Sequence, residues 1–511
     1  MIHKTPTLPK LLLFLLLGLV VMDRIFTLQH FGFLYTDIDQ VILWNGAIDY
    51  AQGNFYEPYF YGQAYNFMLE SLLAVPLIWM NIPVNEALPI VTSFLTLLPY
   101  VVLAFLFFKK KQFFWAYFVL AFPLFLPLDF QLLTTLPRGF VQAYLFLPLL
   151  FLPLFWPQHK FALPMLFIGT GLCFIANPSS ILITLPLFVF IASSYFKEKR
   201  LYLNALWMIP ILFLGQLASY FYQLHPKRIR HELVGLKLDA GTFKASFGNQ
   251  HLFENLFPFV SLGGFLYPLL FLALAVIAWK KGKKKAFVLI VSTLIVLLFS
   301  MAVPKFQEGY EGAGIFFTSS RLYLSLPLLF LLSLFFTFEN RPIKPVFQFL
   351  VMGIALLSVI LRNDHLDEKI GMKVENIVFP ISKNEELLKR TDDLVSIASK
   401  YNVDVIVNQN EPGWDYLLDI ETYAFHALRP DFYPQLICLR LLNDRRSWLY
   451  TPAMKGKTIL LNGMTLSDSL LKPFDSEILS PNQVVIKNNQ LPLDTLFVQL
   501  ERKFGLTFNK H

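Results

Sequence analysis

Residues 34–73 read LYTDIDQVILWNGAIDYAQGNFYEPYFYGQAYNFMLESLL, and the rest of the chain is arranged around them. The stretch follows the first apolar run, which puts it at a membrane surface. It gathers Asp37, Asp39, Asp49, Glu57 and Glu70 in a sequence that is only 15% charged. Val41, Trp44, Ile48 and Ala51 recur at helical spacing, which predicts a helix after Asp39 lying along an apolar boundary. Gly53 can end that helix, Phe55–Tyr61 predicts an aromatic turn, and a second apolar helix is expected from near Ala64. Acids clustered at a membrane surface beside short helices have the composition of a reaction site. The plainer alternative is a solvated charged loop with an aromatic belt.

Working outward, the composition sets the class. The chain has 511 residues, 55% of them hydrophobic and 54 of them Phe, with a mean hydropathy of +0.53. Apolar runs of about 20 residues mark transmembrane helices. Eleven such segments fall at 8–28, 86–108, 112–128, 140–156, 161–177, 179–196, 201–221, 258–279, 286–303, 322–338 and 345–361. A further one, 64–80, is interrupted by Glu70 and Pro76 and is not counted as a span. Lys4 and Lys10 precede Leu11–Met22 as in a signal sequence, but no small-residue cleavage site follows, so this is an uncleaved first span. The net charge of +8 comes from short basic clusters between apolar runs, which is not a nucleic-acid pattern. Cys173 and Cys438 offer neither a disulfide framework nor metal-ligand spacing.

The basic clusters Lys109–Lys111, Lys197–Arg200, Lys280–Lys285 and Arg341 with Lys344 fall at alternate connections, on the side of Lys4 and Lys10. The positive-inside rule makes that side cytoplasmic. The opening stretch, the connections 129–139, 222–257 and 304–321, and the C-terminal region then face outward from an inner, cytoplasmic membrane. Loop 222–257 is itself basic, and is either a solvated loop or a surface that meets phosphate. Beyond residue 361 the patterning is that of a soluble domain. It predicts a helix over Glu385–Tyr401, strands at Val403–Val407, Thr458–Leu461 and Gln483–Ile486, and a closing helix over Asp494–Phe504. The string at Lys455–Gly463 is not a phosphate-binding loop, because its lysine precedes a strand instead of opening a helix. The fold class is therefore an α-helical polytopic membrane protein (1–361, with outer loop 29–66) carrying a C-terminal α/β or α+β domain (362–511).

The outer loop resembles that of the GT-C membrane glycosyltransferases, in the bacterial branch related to protein O-mannosyltransferases and the lipid A aminoarabinose transferase. That branch carries an Asp-Glu pair, an alanine eight residues after the Asp and a glycine fourteen after it. Asp39, Ala47 and Gly53 fit this spacing, while Gln40 stands in place of the Glu. Arg321 at the outer end of a late span is similar to an Arg-Tyr helix start in that family, with Leu322 here separating it from Tyr323. The resemblance implies transfer of a sugar, with inversion, from a polyprenyl-phosphate donor to a hydroxyl of a glycan, lipid or protein acceptor.

Such chemistry needs a carboxylate to take the acceptor proton and fixed positive charge for the departing phosphate. Asp39 is the expected base and Asp37 its secondary partner. Asp39 is favoured by the motif spacing, by its place just before the helix, and by its distance in sequence from basic residues that would pair with it. Guanidinium groups suit the phosphate, and Arg24, Arg138 and Arg321 are the outward arginines at apolar helix ends. An arginine costs about 2.5–3.5 kcal/mol at the centre of a membrane helix and less near its ends, so each needs a partner or a task. Arg24 is expected to pair with Asp23, Arg138 either to snorkel or to bind phosphate, and Arg321 to bind phosphate. Glu57, Gln63 and Tyr61 are candidates for sugar or acceptor contacts, as Glu70 is if it faces the cavity. The tyrosines serve equally as interfacial anchors. Asp37 and Asp39 form a DxD-like pair, but a lipid-monophosphate donor needs no divalent ion, so no cofactor is expected. His225, His231 and His251 lack ligand spacing. The rival classes are a lipid-linked glycan ligase or polymerase, a lipid or sugar transporter, and a non-catalytic scaffold. A transporter would show internal repeats and mid-membrane broken helices, and no clear repeat is visible.

Overall fold

A computed structural model describes residues 7–63, 66–223, 238–248, 266–304, 320–339, 343–375, 381–408, 416–440, 444–449, 457–463, 471–492, 495–496 and 498–499. The membrane region runs through α1 (Thr7–Thr27), α2 (Ile38–Ala51), α3 (Leu69–Trp79), α4 (Val84–Lys109), α5 (Phe113–Phe125), α6 (Leu128–Leu133), α7 (Phe151–Phe155) and α8 (Ala162–Ala176). It continues through α9 (Ile181–Ala192), α10 (Lys199–Asn204), α11 (Met208–Gln223), α12 (Ala240–Gly248), α13 (Leu266–Lys280), α14 (Lys284–Met301), α15 (Ser320–Phe338) and α16 (Val346–Asn363).

Among the described residues, five helices are long and apolar enough to cross a membrane: Leu8–Gly32, Val84–Lys109, Lys199–Phe221, Lys284–Met301 and Val346–Asn363. Their outward faces carry large apolar side chains such as Phe14, Phe213 and Leu356, a surface suited to hydrocarbon and not to water. Inward, Phe rings fill the bundle. Phe107 meets Phe335 at 4.5 Å and Phe155 at 5.1 Å, and Trp115 meets Phe335 edge-on. The chain is a mostly helical membrane protein with a small sheet region.

The other apolar segments form shorter helices, several with an internal proline such as Pro123, Pro186 or Pro327. The expected span 140–156 is not one helix. It splits into two tight turns, Gln142–Leu145 and Leu147–Leu150, followed by α7. Pro148 and Pro153 each lack the N–H that a continuous helix needs. The second helix of the opening stretch begins at Leu69, not near Ala64. Before it, Phe67 forms an isolated antiparallel bridge with Tyr59. The side chain of Gln142 accepts from the Leu69 N–H at 3.1 Å and so secures the start of α3. With 11 residues α3 is about 16 Å long, too short for a hydrocarbon core of about 30 Å. Loop 222–257 lies outside the described residues except for 238–248 and its first two residues, as do 305–319 of the connection 304–321.

The C-terminal region, expected from its sequence to be a soluble domain, begins with α17 (Leu366–Glu375) and α18 (Asn384–Tyr401), and also holds α19 (Tyr416–Leu428). Its strands β3 (Val405–Asn408), β4 (Ile437–Arg440), β5 (Lys457–Asn462), β6 (Ser476–Ser480) and β7 (Gln483–Asn489) make a sheet ordered β4-β3-β5-β7-β6. The first three are parallel and the last two antiparallel. Val405, Leu439, Ile459 and Val484 cover one face of the sheet, and Ile406, Cys438, Leu460 and Val485 the other. This explains why the central strands are continuous apolar runs. The domain is thus α/β, and the expected helix at 385–401 and three strands are present. The closing helix at 494–504 falls mostly outside the described residues.

The two regions share one core. Ile420, Tyr423, Ala424 and Ala427 of α19 belong to the same buried cluster as Val41, Trp44 and Ala47 of α2. A two-residue ladder ties β1 (Tyr35–Thr36) antiparallel to β2 (Ser382–Lys383), and the Asn384 N–H donates to Leu34 O at 2.8 Å. Consequently α2 is not a helix lying along an apolar boundary. It is buried from Gln40 to Ala47, with α3 on one side and α19 on the other. Arg24 does not pair with Asp23. Successive residues on a helix point in different directions, so Asp23 reaches Arg362 while Arg24 donates to Thr134 Oγ1 at 2.8 Å.

Candidate functional site

Asp37 caps α2. Its backbone is extended (φ −131°, ψ −179°), and its Oδ1 accepts from the Gln40 N–H at 3.0 Å, satisfying one of the open donors at the helix start. Asp39 follows in the first turn. Arg138 bridges the two acids: its Nε lies 3.0 Å from Asp37 Oδ2, and its Nη2 donates to Asp39 Oδ2 at 3.0 Å. A third group arrives from the soluble domain, where Arg445 Nη1 stands 3.7 Å from Asp39 Oδ1. The side chains differ in exposure, 4% for Asp37 and 27% for Asp39. Asp37 is the structural member of the pair and Asp39 the open one. Burial pushes the Asp37 carboxyl above its ordinary range, with Arg138 opposing the shift and Asp39 adding to it.

The expectation that Asp39 lacks basic partners is therefore overturned. Arg138 and Arg445 are 99 and 406 positions away in sequence, and the fold brings both to the acid. Arg138 accordingly neither snorkels nor stands ready for phosphate alone, since its guanidinium is held by two carboxylates. Its backbone is held as well. The next residue, Gly139, donates its N–H to Glu70 Oε2 at 2.7 Å, and its carbonyl accepts from Asn177 Nδ2 at 2.7 Å. Glu70 is fully buried, also accepts from Thr92 Oγ1 at 3.2 Å, and burial lifts its carboxyl to about 7. Its observed task is to hold the Arg138 loop.

The aromatic turn lies beside this cluster. Tyr61 donates to Asp49 Oδ2 at 2.8 Å, and burial raises the Asp49 carboxyl to about 6, the tyrosine bond offsetting part of that. Trp448 of the soluble domain stacks on Tyr56 with centroids 4.6 Å apart, and meets Tyr61 edge-on at the same separation. Glu57 is buried, and its carbonyl accepts from Tyr50 Oη at 3.2 Å. The Gln63 N–H closes a turn onto Phe60 O at 2.8 Å. Arg321 sits in the first turn of α15, and its side chain lies outside the described residues.

Arg445, Trp448 and Tyr423 are the participants that sequence reasoning missed. The only local signal was the run Asp444-Arg445-Arg446-Ser447-Trp448. Arg446 anchors that run. It is 2% exposed, pairs with Asp444 at 3.0 Å, and donates to Cys438 O at 3.1 Å, which leaves its neighbour Arg445 to point at α2. Tyr423 Oη accepts from the Arg445 N–H at 3.1 Å, and the Tyr423 carbonyl accepts from Asn45 of α2. Among the described residues no three His, Cys, Asp or Glu side chains are grouped as metal ligands, and both acids face guanidinium groups. Chemically, the arrangement is a partly open carboxylate, fixed in orientation, between two cations at the junction of a membrane region and a soluble domain. No protein-family model matches the chain, and no curated protein matches it.

Proposed function

We propose that this chain is a membrane glycosyltransferase that moves a sugar from a polyprenyl-phosphate donor to an acceptor hydroxyl on the outer side of a cytoplasmic membrane. The observation that carries the reading is Asp39: a carboxylate at the start of α2 whose side chain is 27% exposed, with Oδ2 held by Arg138 at 3.0 Å and Oδ1 only loosely met by Arg445 at 3.7 Å. The acceptor O–H donates to Asp39 while its oxygen attacks the anomeric carbon opposite the phosphate. That C–O bond forms as the bond to the phosphate oxygen breaks, the lipid phosphate leaves with the electron pair, and the proton ends on Asp39. Attack from the opposite face inverts the centre. Guanidinium groups meet the charge growing on the phosphate, where fixed cations act most strongly. Tyr61, Glu57 and Gln63, on the turn next to α2, are the proposed sugar contacts, and Arg321 a further phosphate contact.

The proposed orientation has eleven spans, a cytoplasmic N-terminus and an outward soluble domain. Reporters fused after Lys110, Lys283 and Arg341 should read cytoplasmic, and those near Gly53 and at the C-terminus should read outside. A cytoplasmic C-terminus would place the sheet domain and α2 on the wrong side and sink the orientation. The activity itself is tested by following sugar transfer from a polyprenyl-phosphate donor in vesicles, wild type against Asp39→Asn. Wild-type turnover in the variant would remove Asp39 as the base.

A further inference from the structure

Resting on the transferase reading, we infer that Arg445 is a movable cover on the reacting oxygen of Asp39, and that the donor's phosphate draws it away. Arg445 belongs to the soluble domain, yet its side chain passes over Gly62 to reach α2. Gly62 has φ +79°, and a Cβ there would lie 2.7 Å from both Cγ and Cδ of Arg445. The aromatic turn thus contains a residue without a side chain at the place where the arginine stem crosses it. The path is built into both domains, since the Arg445 backbone is tied to Tyr423 and Tyr423 to Asn45 of α2.

The two arginines of the site are unequal. Arg138 meets both carboxylates at 3.0 Å. Arg445 lies 3.7 Å from Asp39 Oδ1, and its Nη1 is buried without a hydrogen-bond partner among the described residues. A long contact in place of a hydrogen bond is easily exchanged for a phosphate oxygen, which a guanidinium binds with short, charge-assisted bonds. Once Arg445 turns to the phosphate, Oδ1 is uncovered for the acceptor hydroxyl while Oδ2 stays on Arg138. Donor binding thereby prepares the base, and the soluble domain is the part that senses the donor.

The test uses the full-length protein in nanodiscs, titrated with a short-chain polyprenyl monophosphate and, as control, the corresponding polyprenol. Arg445→Ala should weaken monophosphate binding about 10- to 100-fold, as expected for one charge-assisted contact. Polyprenol binding should not change, and Arg445→Lys should recover part of the loss. Gly62→Ala, which crowds the stem, should also weaken binding, and should add nothing in the Arg445→Ala background. Asp39→Asn releases the cover and should tighten monophosphate binding about two- to fivefold. That gain should vanish when Arg445 is also alanine, a pattern that a merely structural arginine does not produce. Monophosphate binding by Arg445→Ala at wild-type strength would overturn the cover and leave the transferase reading intact. A wild type that does not prefer the monophosphate over polyprenol would overturn both.

Discussion

Two of the arginine–carboxylate clusters among the described residues differ in what they leave open. The first joins Asp23 of α1 to Arg362 at the end of α16, with side chains only 2% and 3% exposed. Arg362 also donates to the carbonyls of Leu124 and Leu126 at 3.0 and 3.3 Å, so it clamps the end of α5 as well. The second joins Asp37, Asp39, Arg138 and Arg445 across the domain junction, and one of its acids is 27% exposed. Both clusters place a guanidinium between helices. Of the two, the second keeps a partly exposed carboxylate and holds one of its cations only at 3.7 Å. Burial and closure suit a clamp; partial exposure and a loosely held cation suit the proposed site.

This contrast is broken most sharply by removing one charged group from each cluster. Asp39→Asn should lower sugar transfer about 10²–10⁴-fold, the range for a positioned general base, with little change in thermal unfolding. Asp37→Asn should lose less transfer, because that side chain mainly caps α2. Removing Arg362 should do the reverse. Arg362→Ala leaves Asp23 buried without its cation and should cost about 3–5 kcal/mol of stability, read as a lower unfolding midpoint in detergent. At a permissive temperature its folded fraction should keep turnover per molecule near wild type. A large turnover loss in folded Arg362→Ala would erase the distinction between clamp and site.

A smaller effect sharpens the comparison through pH. Glu70 is a buried acid that holds the Arg138 loop through Gly139, and burial raises its carboxyl from the ordinary 4.5 to about 7. The folded protein then holds this proton where the unfolded chain has released it. Its contribution to stability is full below about pH 4.5 and is lost as pH rises to about 7, a change of roughly 3 kcal/mol. Glu70→Gln should flatten that part of the stability profile. An unchanged profile in the variant would assign the slope to other groups.

Much of the architecture was legible in the chain because it follows from local pattern. Apolar runs marked the membrane helices, and the 3.6-residue spacing after Asp39 placed α2. The amphipathic stretch 385–401 and three apolar runs placed one helix and three strands of the soluble domain. The segment 140–156 was misjudged as one continuous helix because hydropathy does not register the N–H groups missing at Pro148 and Pro153. The face of α2 was misjudged for a different reason. Its outer side is apolar through Trp44, Ala47 and Val41, which suits a bilayer as well as a protein neighbour, and only the arrival of α19 decides between them.

Within the site, the sequence by itself determined the acids. Asp37 and Asp39 stand at a helix start, where capping geometry requires an oxygen acceptor and local spacing reveals it. Tertiary structure alone decided their partners. Arg138 reaches them because Glu70 and Asn177 hold Gly139, and Arg445 reaches them because α19 packs on α2 and Gly62 leaves room for its stem. Capping is written in neighbouring residues, whereas an ion pair spanning 99 or 406 positions depends on where two separately formed elements come to rest. The charge environment of Asp39 is therefore a property of the assembled domains.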